Sequence, residues 1–223
     1  RDLHSFPTRR SSDLEPVSGT ILINTSDLST TINLKGTSID PATTLEVVNW
    51  NMEWFGSTDP SLGPTNDEQQ EQNAKTILQN IGADVYGLVE VVDESRLAHI
   101  VSQMPGYSYV ICNYGSHTNT NESGASPVSE AQKEAFVYKT SLFSNVTTTA
   151  LLSLGINSAA DLSNPNYNYW SSGRFPFMMS ADVTLNCVTK HMKFILVHAK
   201  ANTSPTPETM ASSRAAEQAP CAP

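Results

Sequence analysis

Val47-Val48-Asn49-Trp50-Asn51-Met52-Glu53-Trp54-Phe55-Gly56 decides how the rest of the chain is read. An extended strand sends successive side chains to opposite faces, so Asn49 and Asn51 share one face while Val48, Trp50 and Met52 take the other. Two amides therefore stand together at the strand's exit. Taken alone, the pattern equally describes an edge strand with solvated amides, and the flanking segments must separate the two readings.

Gly56 to Pro64 reads as a loop, and Thr65-Asn66-Asp67-Glu68 opens a helix with a capping-box pattern, a hydroxyl followed three residues later by a carboxylate. Ala74, Ile77, Leu78 and Ile81 recur with helical spacing on one face, and Gly82 suits the C-terminal cap. The run Val85-Tyr86-Gly87-Leu88-Val89 follows at once and is apolar throughout, as befits a buried strand of a layered α/β fold. It ends in Glu90. A carboxylate at the C-terminal end of a buried strand sits where α/β sheets place ligands, and it is costly there unless paired or bound to a cation. A strand-end Glu reaching solvent is the plainer alternative. Asp93-Glu94-Ser95 caps a second helix with Leu97, Ile100, Val101 and Met104 on one face, and residues 107–112 return as a strand.

From Asn113 the texture changes. Residues 114–131 form a loop rich in Gly, Ser and Asn, after which Gln132-Lys133-Glu134 leads into a strand through Lys139. Further strands are expected at 146–152, 178–185 and 193–197, the last delivering His198. Their closeness in sequence predicts antiparallel pairing. Tyr167, Tyr169 and Trp170 lie in a long loop, where they either cover the end of the core or stack on a ligand.

Of 223 residues, 39% are hydrophobic and 16% charged, with a formal net charge of −9. The charged share is below the usual figure of about 25%, so solubility leans on Ser, Thr and Asn, as in extracellular or cell-surface proteins. An acidic chain does not attract polyanions diffusely, so any phosphate chemistry must rest on a metal ion or a few placed cations. Cys112, Cys187 and Cys221 are too few and too scattered for a zinc site or a disulfide framework. They are read as packing residues, with a Cys112–Cys187 bridge left open. No transmembrane segment, signal peptide or oligomerisation signal is visible.

The organisation expected is in four parts. Residues 1–14 resemble one reading frame of a sequencing-library adapter and are set aside. Residues 15–40 hold two short β-rich runs, Thr20–Asn24 and Thr31–Leu34, plus a linker. They resemble the last strands of immunoglobulin-like β-sandwich modules that precede enzymes in bacterial surface proteins. Residues 45–209 carry the main domain, and residues 210–223 lose all periodicity and read as an aberrant tail.

Five segments of the main domain carry a further resemblance: Asn49-Trp50-Asn51, Asp84 to Val91, Gln132 to Tyr138, Ser172-Gly173-Arg174-Phe175-Pro176, and Leu196 to Ala201. In order and spacing they resemble the endonuclease/exonuclease/phosphatase superfamily, and most of all its deoxyribonuclease I-like branch. The resemblance implies an αββα four-layer sandwich, here incomplete, and a metal-dependent phosphodiesterase, most simply an endonuclease acting on nucleic acid. It implies Mg2+ or Mn2+ as cofactor, with Ca2+ as a further candidate. Carried over, Glu90 and Asn51 match the metal-binding carboxylate and active-site amide, and Arg174 matches a phosphate-contacting arginine. His198 matches the catalytic histidine. Glu134 matches the carboxylate that orients it, which would fix its tautomer and raise its pKa toward working pH.

The chain departs from that pattern after His198. No Asp follows Asp182 and no Asp-His pair occurs, so the family's later Gly-Asp-x-Asn and Ser-Asp-His segments are missing. The expectation is a fragment with half of the catalytic apparatus, inactive or nearly so as written. Two other readings stand beside it. One is a phosphodiesterase or phosphatase of lipids or inositol phosphates from the same superfamily. The other is a surface binding module that has lost its chemistry.

Overall fold

The computed structural model describes residues 16–24, 29–37, 40, 42–116, 127–153, 166 and 173–199. The chain divides into two units, residues 1–45 and 46–223. In the first, β1 (Pro16–Asn24) and β2 (Ser29–Thr37) pair antiparallel from Pro16 opposite Thr37 to Asn24 opposite Ser29. Both strands are longer than the runs their β-branched residues suggest.

The second unit begins with β3 (Val47–Phe55), α1 (Asp67–Ile81), β4 (Val85–Val91), α2 (Glu94–Ser102) and β5 (Tyr107–Ile111). It continues with β6 (Lys133–Lys139), β7 (Phe143–Ala150), β8 (Phe177–Leu185) and β9 (Val188–Leu196). One sheet has the order β3-β4-β6-β5, with β3 parallel to β4 and the other pairs antiparallel. The other is antiparallel in the order β7-β8-β9. The expected alternation of strand and helix through residue 111 is observed, as is the switch to antiparallel pairing. β7 lies earlier than the expected 146–152 because Phe143, buried at its start, anchors it.

The two sheets pack face to face, β4 against β9 and β6 against β8. Phe136 stacks on Phe177 across them with centroids 5.7 Å apart, and Tyr138 meets Phe143 at 5.6 Å. Gly87 permits this approach, since a Cβ there would lie 3.0 Å from Leu196 Cδ1. The opposite face of the first sheet is covered by helices. Ala74 and Leu78 of α1 and Leu97, Ile100 and Val101 of α2 join Met52, Phe55, Tyr86, Leu88 and Val91 in one core. Helix, sheet and sheet are thus three of the layers of an αββα sandwich, and among the described residues no helix lies on the outer face of the second sheet.

Two details of α1 differ from expectation. The cap is Asn66, not Thr65: its side-chain oxygen accepts from the Gln69 N–H at 3.0 Å, so the chain enters the helix one residue later. Ile77 and Ile81 are 41% and 49% exposed, so Ala74 and Leu78 are the residues of the expected face that reach the core. Gly82 closes the helix as predicted, at φ 64°. The buried Tyr86 hydroxyl then ties helix to strand, donating to Leu78 O at 2.6 Å and accepting from Ala83 N at 2.7 Å. Burial pushes its pKa up to about 12. Glu71 links the helices through Arg96 and His99. Of the cysteines, Cys112 is buried as expected, but Cys187 is exposed in the β8–β9 turn, and both are free.

Candidate functional site

The exits of β3 and β4 are bent at the same level. The β3–β4 register shifts between Asn51 and Phe55, and the β4–β6 register shifts between Leu88 and Val91. At these irregularities three residues other than glycine take left-handed conformations: Glu53 (φ 53°), Trp54 (φ 52°) and Glu90 (φ 63°). Each such residue costs about 1–3 kcal/mol and persists only where its surroundings over-determine it. Here they do. Asn51 Oδ1 accepts from the Glu53 N–H at 2.8 Å, and Glu90 Oε2 accepts from the Trp54 N–H at 3.1 Å. Asn51 Nδ2 donates to Glu90 Oε1 at 2.8 Å. The left-handed turn at Glu90 therefore swings its carboxylate toward the end of β3.

His198, two residues beyond β9, meets the same carboxylate, with Nε2 3.2 Å from Glu90 Oε1. Arg174 Nη1 lies over the ring, 3.0 Å from Nδ1 and 3.3 Å from Nε2. An arginine can only donate, so its charge bears on the ring as a whole, while Glu90 is the acceptor within reach of a proton on Nε2. Burial, then the Arg174 charge, push the His198 pKa down to about 4, and Glu90 only partly offsets them. This corrects the expected upward shift: the ring is neutral at pH 7.

Glu134 was expected to orient His198; the carboxylate that meets the His198 ring at hydrogen-bond distance is that of Glu90. Glu134 is fully buried, and neither of its oxygens has a hydrogen-bond partner among the described residues. The nearby Arg174 charge and the N–H groups of Glu134 itself and His198 favour ionisation electrostatically without reaching hydrogen-bond geometry. Burial outweighs them and raises the pKa to about 8. Arg174 in turn donates through Nη1 to Gln132 Oε1, while its buried Nε lacks a partner among the described residues. The guanidinium thus braces the site internally.

Three contributors were not singled out as functional from sequence. Gln132 is the acceptor that orients Arg174. Lys133, only 3% exposed, donates through Nζ to Val92 O and Val128 O, both at 2.6 Å, and to Ala131 O at 3.1 Å. Burial lowers its pKa to about 8. Gln70 of α1 binds three backbone groups at the β3 exit. The polar triplet Gln132-Lys133-Glu134 opening an otherwise apolar strand was the available signal for the first two. Tyr167, Tyr169 and Trp170 lie outside the described residues.

Among the described residues no three His, Cys, Asp or Glu side chains converge as a metal cage. The hard oxygen donor presented at the strand ends is the Glu90 carboxylate; Asn51 Oδ1 is taken by the Glu53 N–H, and its Nδ2 faces Glu90. One carboxylate suits a hard cation such as Mg2+, which binds through one or two carboxylates and keeps several waters. No helix among the described residues is long and apolar enough to cross a membrane.

No family model and no curated protein matches the chain. Solved structures do. The catalytic domain of human Nocturnin with a bound sulfate anion is similar at 13% identity and a TM-score of 0.47, over 71% of this chain and 51% of that one. TDP2 from D. rerio, complexed with a single-strand DNA product, is similar at 10% identity and a TM-score of 0.41, over 79% of this chain and 56% of that one. TDP2 from C. elegans is similar at 14% identity and a TM-score of 0.42, over 75% and 38% respectively. The chain therefore spans between about two-fifths and three-fifths of the length of these proteins.

Proposed function

We propose that this chain carries the strand-end half of a divalent-metal-dependent phosphodiesterase site of the endonuclease/exonuclease/phosphatase type, acting on the phosphodiester backbone of nucleic acid. The observation that supports it is the convergence of Asn51, Glu90, Arg174 and His198, from four separate segments, on one sheet end. Glu90 would hold Mg2+ or Mn2+, joined by the Asn51 amide oxygen once that amide turns over from the Glu53 N–H; the ion would neutralise developing charge on a phosphoryl oxygen and acidify a bound water. His198, neutral at pH 7, would serve as a hydrogen-bond donor to a phosphoryl oxygen once the Glu90 carboxylate turns from the ring to the metal. Arg174 supplies positive charge to a site that the acidic chain otherwise lacks. Nucleic acid is preferred over phospholipid because the sequence shows no clear apolar membrane-docking helix. The Ser/Thr/Asn-rich texture favours an extracellular or cell-surface setting.

The test is Mn2+ binding, read from loss of the free-ion EPR signal, in the wild-type chain and in Glu90→Gln. Hydrolysis of supercoiled plasmid and of sphingomyelin vesicles in Mg2+ is followed alongside. Glu90→Gln is expected to weaken Mn2+ binding at least about tenfold, and any hydrolysis is expected on plasmid. No Mn2+ binding by the wild-type chain overturns the reading in favour of a non-catalytic binding module. Hydrolysis confined to vesicles moves the substrate to lipid.

A further inference from the structure

We infer that Gln70 is a positioning residue for this site, acting on Glu90 through the backbone of the β3 exit; as a role in metal binding, the inference rests on the reading above. Gln70 lies in the first turns of α1, on an element that supplies no candidate ligand. Its side chain nevertheless uses both ends of the amide on one short stretch. Oε1 accepts from the Gly56 N–H at 3.0 Å, and Nε2 donates to Met52 O and to Glu53 O, each at 3.0 Å. These three groups bracket Glu53 and Trp54, the pair held at φ 53° and 52°.

A left-handed pair of this kind leaves its flanking carbonyls and amide without sheet partners, since the β3–β4 register is interrupted from Asn51 to Phe55. Gln70 satisfies those groups from the helix side. What the held conformation achieves is to aim the Trp54 N–H at Glu90 Oε2, 3.1 Å away. The chain of contacts is therefore Gln70 to the 52–56 backbone, and Trp54 N–H to the Glu90 carboxylate. Asn51 approaches the same carboxylate from its other oxygen. Glu90 is fixed from two sides, and one of them depends on a helix residue remote from the strand ends. Only an amide of this length serves: a carboxylate would face Met52 O and Glu53 O without a donor, and an apolar chain would satisfy none of the three groups.

The test compares the full chain with Gln70→Met, which keeps side-chain length and helix propensity, and with Gln70→Glu. Two readouts are taken: the hydrogen-exchange rate of the Trp54 amide without metal, and the Mn2+ dissociation constant by EPR. Because Gln70 does not touch the Trp54 N–H, faster exchange there reports propagation through the backbone and not the lost contact itself. Both variants are expected to keep the far-UV spectrum, to lower the thermal midpoint by no more than a few degrees, and to speed Trp54 exchange about tenfold, the equivalent of one lost hydrogen bond. They are also expected to weaken Mn2+ binding about tenfold, as supporting residues do. Wild-type exchange at Trp54 in Gln70→Met overturns the inference. If the wild-type chain binds no Mn2+, the functional reading falls and Trp54 exchange alone decides the role of Gln70.

Discussion

The imidazole of His198 is clamped between unlike partners: Nε2 stands 3.2 Å from Glu90 Oε1, and Arg174 Nη1 lies over the ring, 3.0 Å from Nδ1 and 3.3 Å from Nε2. A second proton would put positive charge on a ring already set against a guanidinium. The clamp therefore resists protonation even though a carboxylate touches the ring.

Replacing Arg174 with Met removes the charge that, after burial, most depresses His198. The His198 pKa is expected to rise from about 4 toward its ordinary 6.5 in chelator-treated buffer, followed by the ring C2–H resonance. An unchanged titration would show that burial alone sets the value.

Glu134 and His198 together shape stability against pH. Glu134 has a folded pKa of about 8 against an ordinary 4.5, so the folded state holds the extra proton between those values and stability declines as pH rises through them. His198 has a folded pKa near 4 against 6.5, so the unfolded state holds the extra proton there and stability climbs with pH. The two slopes oppose each other between pH 4.5 and 6.5. From pH 6.5 to 8 only the Glu134 effect remains, and the urea midpoint is expected to fall. Glu134→Gln should flatten that segment.

Lys133→Met is expected to destabilise the fold by about 3 kcal/mol or more, because three backbone carbonyls lose a charged donor and each buried unmet acceptor costs about 1–3 kcal/mol. Urea denaturation at pH 7 measures it. A change below about 1 kcal/mol would mean that water replaces the ammonium.

Gly56→Ala should be disruptive beyond its size. At φ 75° the new Cβ would stand 2.5 Å from Asp93 Cβ and 3.0 Å from Arg96 Cδ, so the α2 cap must move. A loss of about 1–3 kcal/mol is expected, with greater exchange of the capped Ser95 and Arg96 amides. Wild-type stability would show that the β3–α2 junction yields freely.

The order of elements was legible because periodicity changes cleanly at Gly56, Gly82 and Asp93, each a breaker or cap with a local mechanism. Asn51, Glu90, Arg174 and His198 were legible as a set because the segments that carry them resemble, in order and spacing, those of one superfamily. Which carboxylate holds His198 was not, since that depends on a left-handed residue at Glu90, and a β-strand pattern carries no sign of φ. The brace at Gln70 was hidden for a related reason. Its three partners are backbone groups, and any sequence offers those. Exposure of Ile77 and Ile81, on a face whose Ala74 and Leu78 are buried, is a property of tertiary packing that helical spacing does not carry.

The coincident irregularities in β3 and β4 also bear on how the domain tolerates change. A strand can slip past its neighbour by two residues and keep its faces, but a slip here would have to move the bend at Asn51–Phe55 and the bend at Leu88–Val91 in concert. The pair works like a key seated in a keyway. Insertions in the loop after Gly56 can accumulate without dragging Asn51 or Glu90 along the sheet, leaving that loop open to variation while the strand ends keep their alignment.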